Sequence, residues 1–339
     1  VTAQELDPAR AAGSARVPDL PRLPTLLADV DDDPASMPGL LRDARHYPAL
    51  KVAVVHPCDA ESLQGVKLAQ EAGFIQPVLI GPRAKLVNAA AAIGFDLRAV
   101  QVEAVEHSHA AAARAVELAN TGQVEALMKG SLHTDELMSA VVAQNSGLRT
   151  ARRLSHCFLM HTRAYGRPFI ITDAAINIAP NLDEKADIVR NAVELAHLLG
   201  LPRPRVAVLC AVETVNSAMR STLDAAALCK MADRNQIAGA SIDGPLAFDN
   251  AVSAEAARIK GIVSAVAGQA DIFMVPDIES GNILAKQFEY LGGATSAGIV
   301  MGARVPIVLT SRADSVEARL ASCALAVLVS GRRREGNPA

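Results

Sequence analysis

Several short stretches carry side chains suited to binding and turning over an anion. In "VLTSRADS" an apolar run ends in Ser311 and Arg312, and Asp314 follows. A hydroxyl and a guanidinium close the last apolar strand there, the position where open α/β sheets place ligand chemistry. Asp314 or Ser315 also reads as the N-cap of the final helix, which leaves Ser311 and Arg312 unaccounted for. In "MKGSLHTDE", Lys129 ends another apolar run, and Gly130 and Ser131 precede a helical segment. Backbone N–H groups at a helix start beside a lysine form an anion site, and the same residues serve equally as a plain strand–helix turn. "GLRTARRLSH" crowds Arg149, Arg152 and Arg153. Guanidinium groups grip phosphate in pairs of hydrogen bonds, although charge runs are also simply solvated faces. In "PDIESGNILAKQF", Asp277, Ser280, Gly281 and Asn282 open a helix, and Lys286 follows Asn282 on the same face. A ligand loop is favoured over a cap alone, because a glycine weakens a helix start. "TDAAINIAPNLDE" and "DGPLAFDNAVS" add polar loops whose Asn and Asp residues also suit capping.

The elements that must hold these residues alternate regularly from Lys51 onward. "KVAVVH" is short, β-branched and continuously apolar, as a strand buried on both faces is. Asp59 then caps a helix that Gly73 ends. The strands "PVLIG", "AVQVE" and "VEALMKG" alternate with helices, which is the rhythm of a parallel sheet covered on both sides. "CFLMH" and "PFIITDA" are separated only by a short turn around "AYGRP". That is too short for a crossover helix, so the pair is expected to be antiparallel and to open a second domain near Leu154. A helix over Asp183–Leu199, the strand "RVAVLCA", a helix over Ser217–Lys230, the strand-like "IAGASIDG", a helix over Ser253–Val266, the strand "DIFMVP" and a helix over Ser280–Leu291 follow. The strand "PIVLT" and a helix over Ser315–Leu328 complete the pattern. Residues 1–40, rich in Pro, Ala and Asp, read as a linker or extended arm with room for one short helix near Leu26.

At 339 residues the chain is longer than one core usually serves, which favours two domains. A net charge of -3 gives no global reason to expect nucleic acid or an acidic membrane as partner. No apolar run reaches the ~20 residues of a membrane span. The five cysteines lack any C-x-x-C pair and suit buried free thiols in a reducing cytoplasm. The chain shows no G-x-G-x-x-G after a strand, no G-x-x-x-x-G-K-[ST], no H-E-x-x-H and no G-x-S-x-G, and its eight histidines have no metal-ligand spacing.

Taken together, "GLRTARRLSH", "TDAAINIAPNLDEKADIVRNAVELAHLLG", "DGPLAFDNAVS", "PDIESGNILAKQFEYLGGA" and "SRADSVEARLAS" resemble the phosphate acetyl/butyryltransferase family from about Lys51 to Val329. The resemblance implies two doubly wound α/β domains flanking a cleft, in the fold shared with isocitrate and isopropylmalate dehydrogenases. Residues 41–153 with 303–332 would form domain I, and 154–302 domain II. It implies reversible acyl transfer between coenzyme A and inorganic phosphate in a ternary complex, acetyl being favoured and butyryl the alternative. Coenzyme A is then a substrate, with no bound cofactor and no metal. A cytoplasmic homodimer is implied, as is an enoyl-CoA hydratase-like domain preceding the chain, which begins at Val1 without Met. Ser311 and Arg312 match the family's reactant-orienting pair. The carboxylate that the better-known acetyltransferases use as base falls at Ala318, so Asp314 is the substitute candidate. Lys129, Gly130, Ser131, Arg149, Arg152, Arg153, Asp277, Ser280, Asn282 and Lys286 are the expected substrate-binding residues. A metal- and nicotinamide-dependent dehydrogenase of the same fold, or a non-catalytic coenzyme A-binding module, are the competing readings.

Overall fold

The computed structural model describes residues 37–311 and 313–336. The arm ahead of residue 37, its expected helix near Leu26, and Arg312 lie outside the described residues. The first half runs α1 (Met37–Ala44), β1 (Leu50–Val55), α2 (Ala60–Glu71), β2 (Ile75–Gly81), α3 (Arg83–Ala92), β3 (Gln101–Ala104), α4 (Ser108–Asn120), β4 (Ala126–Lys129) and α5 (Thr134–Val142). The second half runs β5 (Ser155–His161), β6 (Pro168–Thr172), α6 (Leu182–Leu198), β7 (Arg205–Leu209), α7 (Arg220–Asp233), β8 (Ser241–Leu246), α8 (Phe248–Val252), α9 (Ala254–Ile259), β9 (Ile272–Met274) and α10 (Ile278–Tyr290). The chain closes with β10 (Thr295–Met301), β11 (Ile307–Val308) and α11 (Val316–Arg334).

Local chemistry sets most of these boundaries. The Asp59 carboxylate accepts the Ser62 N–H at 2.7 Å to start α2, and Gly73 takes the left-handed conformation just beyond its end. Asn181 and Glu184 form a reciprocal capping box on α6. The expected helix over Ser253–Val266 is only α9, because Gly261 turns left-handed right after it and the chain leaves as a loop.

All strands join one sheet in the order β3-β2-β1-β4-β11-β10-β5-β6-β9-β7-β8. The strands β3, β2, β1, β4 and β11 are mutually parallel, as are β6, β9, β7 and β8. β10 and β5 lie between the two runs with antiparallel pairings on each side. The short turn did predict the antiparallel β5–β6 pair. β10 was not expected: "TSAGIVM" opens with polar residues and carries Gly298 in its middle, which weakens its strand signature. That glycine has a packing reason. A Cβ at Gly298 would stand 2.8 Å from the Leu309 carbonyl oxygen and 2.9 Å from the His156 ring.

The two parallel runs point in opposite directions. Val308, ending β11, aligns with Ile299, which aligns with Cys157, which aligns with Thr172, ending β6. The carboxyl ends of β11 and β6 therefore pass one another beside β5. α11 lies behind this crossing, against α1, α2 and β10, with residues Arg319 to Gly331 all buried. A helix that is buried on every side needs small contact points. Gly65 on α2 admits the Arg319 stem and Gly331 admits the Tyr47 ring.

Replacing Gly298 with Ala should lower stability by about 1–3 kcal/mol, the usual penalty of overpacking a close-packed centre. Urea unfolding reads this directly, and an unchanged midpoint would show that the crossing is looser than described.

Candidate functional site

A cavity of about 910 Å³ opens where the two sets of strand ends cross. Its floor is β5. His156 and Phe158 are two residues apart, so they face the same side, and both line the cavity. Their rings meet edge-to-face with centroids 4.3 Å apart. Leu309, Thr310 and Ser311 after β11 form one wall; Ala174 and Ala175 after β6 form another.

Lys129 ends β4 and is 5% exposed. Its ammonium donates to the carbonyls of Gly130 and Thr310, each at 3.4 Å, so it ties the carboxyl ends of β4 and β11 together. Gly130 is required at the next position, because a Cβ there would lie 2.5 Å from the Val55 carbonyl oxygen. Ser131 turns away from the cavity. Its hydroxyl donates to the His56 carbonyl at 2.7 Å and accepts the Cys58 N–H at 3.1 Å. That clamp holds His56 at a positive φ of 53°.

Two helix starts also face the cavity. Leu132, His133 and Thr134 line it at the start of α5, which Glu136 closes with a capping box on the His133 N–H. Ile278 and Glu279 line it at the start of α10. The unpaired N–H groups and dipoles of helix starts favour negative charge. Further along α10, Asn282 donates to the Ala174 carbonyl at 3.3 Å, and Lys286 lies 3.5 Å from Asp314 and 3.2 Å from Glu289. Burial pulls the Lys286 ammonium down, but Asp314 and Glu289 outweigh it and hold its pKa above the ordinary value. It is therefore a cation at neutral pH. α10 reaches this close because Gly281 packs on the Asp173 peptide, where a Cβ would stand 2.6 Å from the carbonyl oxygen.

The Ser311 loop is held from behind. Asp314, whose side chain is 3% exposed, accepts the Ser311 N–H at 2.6 Å. The buried Arg319 donates to the Ser311 carbonyl at 3.0 Å and to the Asp314 carbonyl at 3.4 Å. The hydroxyl of Ser311 accepts the Ala313 N–H at 3.3 Å. Asp314 and Ala318 line a separate hollow of about 500 Å³ on the far side of this loop. Neither is among the residues lining the Lys129–Ser311 cavity.

The expected site residues thus divide. Lys129, Asn282, Lys286 and Ser311 line the crossing cavity. Asp277 caps α10 by accepting the Ser280 N–H at 2.8 Å, and both residues line an adjoining cavity of about 950 Å³ that shares Ile283 with the first. A buried Lys185–Asp224 pair, 2.8 Å apart, also lines that second space. Arg152 is engaged with Glu194 at 2.6 Å and Arg153 with Glu184 at 2.7 Å. Arg149 is exposed, with its backbone bridged to Ala303. None of the three lines either cavity in the described residues.

His156, Phe158 and Arg319 were missing from the sequence-based candidates. The His156 Nε2 lies 3.3 Å from the Leu309 carbonyl, and burial pushes its pKa below the usual imidazole value. A polar residue inside an apolar run was the available signal for His156 and Arg319 alike. The five cysteines are free, and burial raises their thiols, Cys58 to about 11 and Cys229 to about 12. None is placed as a thiolate nucleophile. Among the described residues, no group of three or more His, Cys, Asp or Glu side chains is arranged to hold a metal, and no helix is long and apolar enough to cross a membrane.

Residues 103–327 match the model of a family described as phosphate acetyl/butaryl transferase. The chain is 58% identical over 302 residues to a phosphate acetyltransferase of Rickettsia felis, covering 89% of this chain and 86% of that protein. It is 44% identical over 283 residues to a phosphate butyryltransferase of Clostridium acetobutylicum, covering 84% of this chain and 94% of that one. Among solved structures, a branched-chain phosphotransacylase from Enterococcus faecalis V583 superposes with a TM-score of 0.71 at 32% identity, over 83% of this chain and 99% of that one. A 4-hydroxythreonine-4-phosphate dehydrogenase from Klebsiella pneumoniae reaches a TM-score of 0.51 at 14% identity, over 83% of this chain and 99% of that one, a likeness of fold alone.

Arg319→Met should free the carbonyls that hold the Ser311 turn. Hydrogen exchange at the 311–315 amides is expected to quicken at least tenfold, the mark of local opening. Unchanged exchange there would remove Arg319 as the support of the loop.

Proposed function

The chain belongs to the phosphate acetyl/butaryl transferase family and moves an acetyl group between coenzyme A and inorganic phosphate, and we propose that the transfer takes place in the cavity between Lys129 and Ser311. The observation that carries this assignment is the convergence of two lysines, two helix starts and the Ser311 turn on one space at the strand crossing. Acetyl phosphate brings a dianionic phosphoryl group, and coenzyme A brings a thiol. A site for both must hold the phosphoryl oxygens, stabilise the oxyanion of a tetrahedral intermediate and take up the thiol proton.

Lys129 and the helix dipoles at the starts of α5 and α10 supply positive potential for the phosphoryl group. Lys286, charged and anchored by Asp314 and Glu289, extends that potential along α10. Arg312, the residue beside Ser311, is assigned the bidentate grip on phosphate that guanidinium geometry favours. Ser311 is assigned the hydrogen bond to the carbonyl oxygen or thiolate. Asp314 is best read as a positioning residue, because its carboxylate is committed to the Ser311 N–H and to Lys286. The adjoining cavity with Asp277, Ser280 and the Lys185–Asp224 pair is assigned the rest of the coenzyme A molecule, since the two spaces share Ile283 in their walls. Arg149, Arg152 and Arg153 stand outside both cavities, and their substrate role is carried by the family resemblance alone. The same holds for the division into residues 41–153 with 303–332 and 154–302, for a dimer, for a cytoplasmic location and for a preceding hydratase-like domain.

Acetyl is favoured over butyryl by the 58% against 44% identities to the respective relatives. Offered coenzyme A with acetyl, propionyl and butyryl phosphate, the protein should form thioester with all three and show its highest kcat/KM with acetyl. A rate that appears only with nicotinamide and a divalent metal would contradict the assignment. Ser311→Ala and Arg312→Ala should each lose on the order of a hundred- to thousandfold in kcat, the usual loss for one donor to developing charge. Near-normal turnover in both would move the chemistry elsewhere.

A further inference from the structure

We propose that His156 is the base that takes the coenzyme A thiol proton, filling the role left open by Ala318. This rests on the acetyl-transfer assignment above and extends it to a residue in the floor of the same cavity.

Hydrogen bonding assigns the tautomer. The Leu309 carbonyl oxygen can only accept, so the Nε2 that approaches it at 3.3 Å carries the hydrogen. Nδ1 then holds a bare lone pair. It is buried and has no hydrogen-bond partner among the described residues. A buried acceptor left without a partner costs about 1–3 kcal/mol, so its retention calls for a reason. The hydroxyl of Thr310, a residue lining the same cavity, is likewise buried without a partner among the described residues. His156 and Thr310, the residues that carry these two buried atoms, both line the cavity that Lys129 and Ser311 also line. Gly298 and Phe158 fix the imidazole from two sides, since a Cβ at Gly298 would lie 2.9 Å from Nε2. Glu279 lines the cavity but is exposed at the start of α10, and the other candidate positions are placed otherwise. Asp314 is spent on Ser311 and Lys286, and the Ala318 position looks into the hollow behind the loop.

The charged surroundings match the role. Asp173 after β6, Asp314 before α11 and Glu289 on α10 all favour the imidazolium, while Lys129 on β4 and Lys286 on α10 border the same cavity. Burial outweighs the carboxylates and leaves the resting ring neutral, hence ready to accept. The thiol proton passes to Nδ1 as sulfur attacks the carbonyl carbon of acetyl phosphate. The C–S bond forms, the C–O bond to phosphate breaks, and the three carboxylates steady the transient imidazolium. The proton then goes to the departing phosphate, which leaves as the hydrogen phosphate dianion, and His156 returns to neutral.

His156→Gln separates this role from support of the loop, because the glutamine amide retains a donor for the Leu309 carbonyl but is no base. The expected result is a kcat lowered about a hundredfold or more, with KM for coenzyme A and acetyl phosphate changed by less than about threefold. In the unsubstituted enzyme kcat should fall as pH drops, because the protonated ring cannot accept, with the midpoint at or below the ordinary imidazole value of 6.5. That acid limb should vanish in the variant. A Gln variant with full kcat and an unchanged acid limb overturns the proposal while leaving acetyl transfer intact. If the variant does not fold, the unsubstituted enzyme still decides: an acid limb of kcat with its midpoint above 6.5 overturns it.

Discussion

The arrangement of the crossing cavity depends on two parallel runs of strands that point in opposite directions within one sheet. Their carboxyl ends cannot meet edge to edge, so they pass one another beside β5, with Val308 and Thr172 in the same cross-strand row. In an open α/β sheet the ligand crevice forms where strand direction or order reverses. Here the reversal is delivered by the antiparallel strands β10 and β5. Loops from both runs then rise over one face of β5, and the side chains on that face become the floor of the site.

That geometry explains why close contacts between glycine and backbone cluster at the crossing. Gly130 lies on the peptides after β1, Gly281 on the peptide after β6, and Gly298 on the Leu309 carbonyl. Each lets an element carrying a polar side chain come within reach of the cavity. The electrostatics follow from the same approach. Lys129 is drawn between two carbonyls, Lys286 is anchored by two carboxylates, and the starts of α5 and α10 line the cavity. In the proposed assignment these groups form an anion-accepting space fixed before substrate arrives, which is what stabilising developing charge requires.

Much of this was legible in local chemistry. The apolar run of β1, the Asp59 cap, a capping Asn ahead of α6 and the short turn between β5 and β6 all act over a few residues, and each appears as expected. The placing of Lys129 and Ser311 at strand ends was equally visible. The rest depends on contacts distant in sequence. β10 is disguised by Gly298, whose need arises only from Leu309 and His156. Arg152 and Arg153 read as phosphate ligands until α6 supplies Glu194 and Glu184. His156 resembles any lone histidine in a core strand until sheet pairing sets Leu309 above it and leaves Nδ1 bare. Asp314 stood as substitute base through the family resemblance alone, and the fold of its own turn commits it to Ser311.

The central claim is that the phosphoryl group is held at the strand crossing. A crystal structure of the protein with acetyl phosphate tests it most directly. The account predicts phosphoryl oxygens within hydrogen-bond reach of the Lys129 ammonium and the first N–H groups of α5 or α10, with the acetyl carbonyl toward Ser311. A phosphoryl group seated instead beside the Lys185–Asp224 pair, with the Lys129–Ser311 space holding only solvent, would contradict it.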